Sequence, residues 1–384
     1  MPWQEVTAME ERDRLVRAYR QGLGTVSELA GRFGISRKTA SKWIRRYEAE
    51  GSGGLADRSR ARRTQSHATP ELVREALLGL KRERPHYGPK KVLAVLSAQR
   101  PELELPAVST VGELFARHGL IKPRRRVAVV SMKPLRWPLP SSPNEEWAAD
   151  FKGQWRLGDG SECFPLTVTD THSRCLLACH AMGAISMAET EKVMRRLFCE
   201  YGLPAAIRTD NGVPFAYHTA SLGLTRLSAW WLRLGITLHR TRPGTPTDNS
   251  RHERMHRTLK AETLSPLQAN LKAQQKVFDA FRQRYNEERP HEALGMVPPQ
   301  SRYQPSTRAH PRKLPPIEYP SHFETRMVQQ HGDIHWRGQR IFVSQALAHQ
   351  WLGLEASIQG WKVYFCQQLI AHIDEETMTL TYLH

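Results

Sequence analysis

The sequence lacks the features that mark disulfide-bonded, membrane or nucleotide-driven proteins. Its five cysteines are odd in number and form no C-x-x-C pair, so neither a disulfide framework nor a cysteine zinc site is indicated. The start MPWQEVTAMEERDR has no apolar segment typical of a secretory signal, and no run approaches the roughly 18–20 apolar residues that cross a bilayer. A G-x-x-x-x-G-K-[ST] phosphate loop is also missing. We therefore expect a soluble, multidomain cytoplasmic protein that does not depend on ATP.

Acidic residues are scarce in the N-terminal third of the chain. Residues 1–140 contain 28 Lys and Arg against 14 Asp and Glu, and the whole chain of 384 residues has a net charge of +18. Lys and Arg that neutralise phosphates release condensed counterions, so this asymmetry favours a polyanionic partner. A basic but merely soluble surface is the alternative that charge alone leaves open.

Residues 10–50 have the apolar spacing of three short helices, which is a helix-turn-helix pattern. Thr25 and Glu28 predict a capping box, and Ser36 predicts the cap of the recognition helix, whose N-terminal end would enter the major groove. An amphipathic helix with a solvated basic face is the alternative. The outward-facing candidates for base and phosphate contacts are Arg37, Lys38, Ser41, Lys42 and Arg45.

Shifts in composition divide the chain into seven predicted segments, and the fold class is multidomain α/β. They are a helix-turn-helix domain (1–50), a basic linker (51–69), a second helical, winged-helix-like DNA-binding domain (70–121), a Pro/Arg linker (122–143), a mixed-sheet domain (144–300), a linker (301–325) and a small β-barrel (326–384). The linkers carry arginines that we expect to lie along a phosphate backbone. These are Arg60, Arg62, Arg63, Arg124, Arg125 and Arg126.

Three acidic residues stand where a mixed sheet would bring them together. Asp150 lies in the first predicted strand, Asp210 at the end of the strand AAIRTDNG, and Glu253 near the start of a helix. Adjacent carboxylates raise each other's proton affinity and stay ionised together when hard cations neutralise them. Two such ions can activate an attacking oxygen and stabilise a leaving oxygen of a phosphodiester. The joint pattern predicts nuclease and strand-transfer chemistry, although a surface ion pair is the better interpretation of any one carboxylate alone.

Five motifs carry a family resemblance: WAADFKG, RTDNGVPFA, LSAWWLRLGI, TRPGTPTDNSRHERMHRTLKAE and YNEERPHEALG. They resemble the DDE integrase catalytic core, a ribonuclease-H-like fold, and most closely the bacterial insertion-sequence family 481. The resemblance covers nearly the whole chain. It implies that the catalytic residues Asp150, Asp210 and Glu253 hold two Mg²⁺ ions, for which Mn²⁺ would substitute. It also implies that three residues of the third element lie near DNA, namely His252, Arg257 and Lys260.

By the same resemblance, the chain would be a transposase that binds the terminal inverted repeats of an insertion sequence, cleaves their 3′ ends and transfers them to target DNA. Joining two ends implies a homodimer or larger assembly on double-stranded DNA, associated with the bacterial nucleoid and with no membrane. Two departures stand out. The chain between Asp210 and Glu253 is longer than usual, and Asn249-Ser250 replaces the usual Asn-Gly.

Two other interpretations compete with this one. The run from His252 to His256 matches H-E-x-x-H, which on a helix presents two imidazoles to zinc in metalloproteases. That interpretation leaves Asp150, Asp210 and the basic N-terminal third unexplained. The second alternative is a catalytically inactive helix-turn-helix regulator derived from a transposase.

Overall fold

The computed structural model describes residues 7–58, 69–121, 139–217, 223–242, 249–358 and 360–382. The chain forms two compact units, Met1–Ala68 and Thr69–His384. Among the described residues, no helix combines the length and apolarity required to span a bilayer.

The first unit is a bundle of three helices and a 3-10 turn, Gly51–Leu55. The helices are α1 (Ala8–Arg20), α2 (Val26–Arg32) and α3 (Arg37–Glu50). The predicted capping box of Thr25 and Glu28 is confirmed, and Ser36 accepts from the third backbone N–H of α3. Such caps satisfy N–H groups that have no partner within the helix. Leu15, Leu29 and Trp43 are buried between the helices, so α3 turns its apolar side inward and its basic side outward.

The second unit begins with another group of three helices, built around buried Leu77, Val92 and Phe115. These are α4 (Glu71–Glu83), α5 (Pro89–Gln99) and α6 (Val108–Arg117). The Lys81 ammonium is buried in this core and donates to the carbonyl of Tyr87 at 2.9 Å. The described chain thus contains two helical modules before its central sheet.

The central sheet is mixed. Its strands are β1 (Glu146–Phe151), β2 (Trp155–Arg156), β3 (Glu162–Asp170), β4 (Leu176–Met182), β5 (Ala206–Thr209) and β6 (Thr237–Arg240). The strand order is β2-β3-β1-β5-β6, with β4 paired to β3. β1 runs antiparallel to β3 and parallel to β5, and β5 runs parallel to β6. The predicted mixed sheet is therefore confirmed.

Four helices cover the sheet: α7 (Met187–Tyr201), α8 (Arg226–Arg233), α9 (Ser250–Thr263) and α10 (Leu271–Glu287). Trp147 of β1 shares one core with residues of α7 and α8, among them Phe198, whose ring centroid is 5.8 Å away. A second core joins β4 to α9 and α10 and includes Cys179 and Met255. Because side chains alternate along a strand, Asp150 faces the side opposite to Trp147, where α9 lies.

The segment 301–325, predicted to be a linker, lies along the central core. Tyr303 is buried, and its Oη donates to Asn144 Oδ1 at 2.9 Å. Further along, Arg308 donates to the carbonyl of Pro204 at 2.8 Å. Backbone and side chains therefore fix this segment to the sheet and its connections.

The C-terminal strands form open sheets, so the predicted small β-barrel is not confirmed. The strands are β7 (Glu324–Met327), β8 (Asp333–Trp336), β9 (Gln339–Phe342), β10 (Trp351–Ser357), β11 (Gly360–Phe365), β12 (Gln368–Ile373) and β13 (Leu380–Tyr382). Five of them form an antiparallel sheet in the order β13-β12-β11-β10-β7, and β8 pairs with β9. Within the described residues β13 and β7 are the two edges, whereas a barrel requires its edges to pair.

Candidate active site

The sheet register brings Asp150 and Asp210 to one edge. The parallel pairing of β1 and β5 sets Ala148 opposite Arg208, and two residues further along each chain are Asp150 and Asp210. Neighbouring strands are about 4.8 Å apart, so these two backbone positions are adjacent. Glu253 lies in the first turn of α9, on the sheet face toward which Asp150 points. One strand, one strand end and one helix start therefore carry the three carboxylates.

The other two carboxylates affect the charge state of Asp150. The pKa of Asp150 is raised to about 7, first by burial and then by the negative charges of Asp210 and Glu253. A carboxyl under this combination of burial and like charge is stabilised in its ionised form by a nearby cation. Hard divalent ions such as Mg²⁺ prefer carboxylate oxygens. The donor set is chemically suited to such an ion.

The turn after β5 fixes the backbone around Asp210. Gly212 donates its backbone N–H to Asp210 Oδ1 at 3.2 Å, and the Asn211 amide donates to the carbonyl of Thr241 at 2.6 Å. A Cβ atom at position 212 would lie 3.1 Å from Asp210 Oδ2, which is tighter than an ordinary van der Waals separation. Glycine therefore allows the turn to fold back against the carboxylate.

Lys152 is a member of the site that the sequence interpretation missed. Its Nζ donates to Glu253 Oε2 at 2.8 Å and so connects the end of β1 to α9. Its sequence signal is weak but present, since it follows Asp150 by two residues and residues at this spacing share one side of an extended chain. The ammonium partly neutralises the acidic edge of the sheet.

The two imidazoles of the H-E-x-x-H run are buried behind the carboxylates. His252 uses both ring nitrogens, with Nε2 2.7 Å from Thr167 Oγ1 and Nδ1 2.8 Å from Thr169 Oγ1. His256 Nε2 also lies 2.7 Å from Thr167 Oγ1. Burial lowers the pKa of both imidazoles, which keeps them neutral. The structure therefore places His252 inside the core, away from the surface expected for a DNA contact, and leaves it no ring nitrogen for zinc.

The residues predicted to contact DNA fall into three groups. Arg37, Lys38, Lys42 and Arg45 are exposed and Ser41 is partly exposed, and all five line one open surface of α3. Arg257 and Lys260 are exposed on α9. The linker arginines lie outside the described residues, namely Arg60, Arg62, Arg63, Arg124, Arg125 and Arg126.

Comparison with protein families matches the helical modules, the central sheet and the C-terminal strands. Two models, each described as an integrase core domain, match residues 140–246 and 234–299. A helix-turn-helix domain matches residues 11–63 and a homeodomain-like domain residues 39–115. The model of the IS481 family transposase C-terminal domain matches residues 323–381. The chain belongs to the IS481 type of DDE transposases.

Two proteins of insertion elements are similar to this transposase along most of their length. The insertion element IS476 uncharacterized 39.2 kDa protein of Xanthomonas euvesicatoria is 28% identical over 301 residues, which cover 72% of this chain and 84% of that protein. The insertion element IS407 uncharacterized 31.7 kDa protein of Burkholderia multivorans is 28% identical over 231 residues, covering 60% and 79%. The integrase core places the transposase in the polynucleotidyl transferase superfamily, and its helix-turn-helix domains are DNA-binding domains.

Solved structures of retroviral integrases are less similar to this chain in sequence. The simian T-cell lymphotropic virus intasome in complex with PP2A regulatory subunit B56 gamma is 13% identical, covers 80% of this chain and 96% of that chain, and gives a TM-score of 0.37. The HTLV-2 integrase catalytic core domain in complex with magnesium is 14% identical, covers 43% and 99%, and gives a TM-score of 0.34.

Proposed function

We propose that this transposase cleaves the 3′ ends of its insertion sequence and transfers them to target DNA, with Asp150, Asp210 and Glu253 as the catalytic metal ligands. The observation that carries the proposal is the raised pKa of the Asp150 carboxyl. This pKa is raised by burial and by the charges of both other carboxylates, which come from separate elements of the fold.

The carboxylate oxygens of Asp150, Asp210 and Glu253 would hold two Mg²⁺ ions, with Mn²⁺ as a substitute. When bound, the ions supply Lewis-acid activation of an attacking oxygen and stabilisation of a leaving oxygen. The chain's own residues position these groups. The β1–β5 register fixes the two aspartates, and α9 presents Glu253 next to exposed Arg257 and Lys260, which would bind DNA phosphates.

We further propose that the helical modules bind the terminal inverted repeats. The exposed basic surface of α3 would enter the major groove, and the arginines of the two basic linkers would contact phosphates. The seven segments predicted from composition remain our proposal for the domain boundaries. Because two ends must be joined to one target, the active form would be a homodimer or a larger assembly on DNA.

The test uses the full chain, a DNA duplex bearing the element's own ends, and Mg²⁺. We expect cleavage and strand transfer in the unmodified protein. Asp150→Asn, Asp210→Asn and Glu253→Gln should each reduce both reactions by at least about 1,000-fold while end binding, measured by gel shift, stays unchanged. Asp159→Asn and Glu287→Gln, which alter exposed carboxylates elsewhere, serve as matched controls.

Each outcome has a separate meaning. Full activity in any one of the three variants would refute that residue as a ligand. End binding without cleavage by the unmodified protein, at any Mg²⁺ or Mn²⁺ concentration, would instead support the inactive regulator.

A further inference from the structure

One buried nitrogen atom faces the carboxylates without a partner. The side chain of His256 is fully buried, and its Nδ1 has no hydrogen-bond partner among the described residues. The same atom lies 3.8 Å from Asp150 Oδ2 and 3.7 Å from Glu253 Oε1. Both distances exceed the range of a hydrogen bond. Buried polar atoms in folded proteins normally have partners, so this atom requires an explanation.

The hydrogen bonds behind His256 are compatible with a proton on Nε2 and a lone pair on Nδ1. Thr167 has one hydroxyl proton, and the carbonyl of Asp150 lies 3.1 Å from its oxygen. When the proton is donated to that carbonyl, the two imidazole Nε2 atoms that lie 2.7 Å from the same hydroxyl oxygen donate to it. A neutral imidazole has one donor and one acceptor nitrogen. In this arrangement the Nδ1 lone pair of His256 points toward the two carboxylate oxygens.

An imidazole nitrogen within 4 Å of two carboxylate oxygens is suited to share a cation with them. We propose that His256 Nδ1 is a nitrogen ligand of the divalent ion shared by Asp150 and Glu253. Two ligand atoms that are each about 2.1 Å from one ion can be at most about 4.2 Å apart. The two separations, 3.7 and 3.8 Å, are within this limit.

His252 does not share this role, although it lies close by. Asp150, His252 and His256 each offer an atom within 4.8 Å of the others. Both ring nitrogens of His252 are already engaged by threonine hydroxyls, so it can only support His256 from behind. The threonine network would fix the ring orientation of the ligand, as partners of metal-bound imidazoles do in other proteins.

A nitrogen ligand changes the metal preference of the site. Imidazole binds first-row transition ions, whereas Mg²⁺ prefers an all-oxygen set. We therefore expect Mn²⁺ to bind this site more tightly than Mg²⁺. The variant His256→Gln should weaken Mn²⁺ binding by about 10–100-fold and Mg²⁺ binding by less.

The inference rests on the proposed function. Its experiment detects the ligands of bound Mn²⁺ directly. Mn²⁺ is added to the full chain without DNA, and pulsed electron paramagnetic resonance detects any directly coordinated nitrogen. We expect a ¹⁴N coupling that becomes a ¹⁵N coupling in protein labelled with ¹⁵N-histidine. This labelling needs no substitution, so it remains informative if His256→Gln fails to fold. In a folded His256→Gln protein the coupling should disappear, and in Lys192→Gln, an exposed control, it should remain.

Bound Mn²⁺ without a histidine coupling, a coupling that survives in folded His256→Gln, or no Mn²⁺ binding at all would overturn the inference. Strand transfer is measured in parallel. Absence of the nitrogen coupling in the unmodified protein, together with Asp150-dependent strand transfer, would refute the role of His256 alone. A histidine coupling in a protein that cannot cleave DNA would refute the proposed function alone.

Discussion

Lys152 donates to Glu253 across 2.8 Å, from the end of strand β1 to the first turn of helix α9. The pair joins the chain segment that carries Asp150 to the helix that carries the third carboxylate. Both side chains are partly accessible, with 20% of Lys152 and 35% of Glu253 exposed. The ammonium therefore occupies a position beside an oxygen that a divalent ion would also require.

The variant Lys152→Met removes this competing charge. We expect Mg²⁺ to bind more tightly, by roughly 3–10-fold, because the site becomes more negative and Glu253 is no longer engaged. Isothermal titration calorimetry at low ionic strength measures the change. Lys152→Arg preserves the charge and should bind Mg²⁺ as the unmodified protein does. Equal affinity in the Met and Arg variants would show that Lys152 does not compete with the ion.

The variant Asp150→Asn should stabilise the metal-free protein. With its pKa raised to about 7, Asp150 is ionised at pH 8 at a cost that its neutral isostere avoids. A shift of this size corresponds to at most about 4 kcal/mol, and the cost increases as pH rises from the usual carboxyl pKa to about 7. Thermal unfolding at pH 8 with EDTA should show a higher Tm in Asp150→Asn.

Added Mg²⁺ should then raise the Tm of the unmodified protein but not that of Asp150→Asn. The control Asp159→Asn changes an exposed aspartate and should behave as the unmodified protein in both conditions. A lower Tm for Asp150→Asn in EDTA would contradict the repulsion inferred for the three carboxylates.

A buried charge cluster at the start of β1 should make the stability of the folded protein depend measurably on pH. Glu146 accepts from Arg208 at 2.8 Å and pairs with His239 at 2.7 Å. Burial raises the pKa of Glu146, but hydrogen bonds and the positive partners outweigh it, so the pKa is below its usual value. For a carboxyl with a lowered folded-state pKa, the stabilisation is present above the unfolded pKa and is lost as pH falls through the folded pKa.

Glu146→Gln should therefore destabilise the protein at pH 7 by about 1–3 kcal/mol, because the hydrogen bonds of Arg208 and His239 to a charged carboxylate are weakened. Between about pH 5 and pH 3 the stability of the variant should fall less steeply than that of the unmodified protein. Urea unfolding followed by tryptophan fluorescence measures both effects. Parallel pH profiles for the two proteins would show that Glu146 contributes little.

The basic surface of α3 should set the salt dependence of end binding. Removing one Lys that neutralises a phosphate reduces the slope of log K against log salt by about 1. The double variant Lys38→Ala/Lys42→Ala should therefore bind all DNA sequences more weakly and reduce the slope by about 2. Arg14→Ala, on α1, is the matched control, since its side chain already pairs with Glu11. An unchanged slope in the double variant would place the DNA elsewhere.

Local sequence signals predicted much of the fold. The capping box of Thr25 and Glu28 formed as expected, because caps depend on residues three apart. Strand β5, which precedes Asp210, and helix α9, which carries Glu253, could be read from the sequence. The proximity of Asp150 and Asp210 could be anticipated because strand ends converge at one sheet edge, although the register itself could not.

Long-range packing could not be predicted in the same way. Whether the C-terminal strands close depends on pairing between β7 and β13, which are far apart in sequence, and no local signal encodes it. The burial of His252 depends on which side of α9 meets β3, whereas the family resemblance placed this residue near DNA. Tyr303 and Arg308 sit in a proline-rich segment whose composition indicates a linker, whereas their individual hydrogen bonds fix it to the core.

Helix α8 lies in the long connection between Asp210 and Glu253, and both of its sides are apolar. Leu227 and Trp231 belong to the core of the central sheet, whereas Ala229 and Leu232 belong to the core of the C-terminal sheets. Helix α8 thus contributes to both hydrophobic cores. A fragment that ended before the C-terminal strands would expose one apolar side of α8 to water and would tend to aggregate. The C-terminal strands therefore pack against a helix of the catalytic core and contribute to its stability.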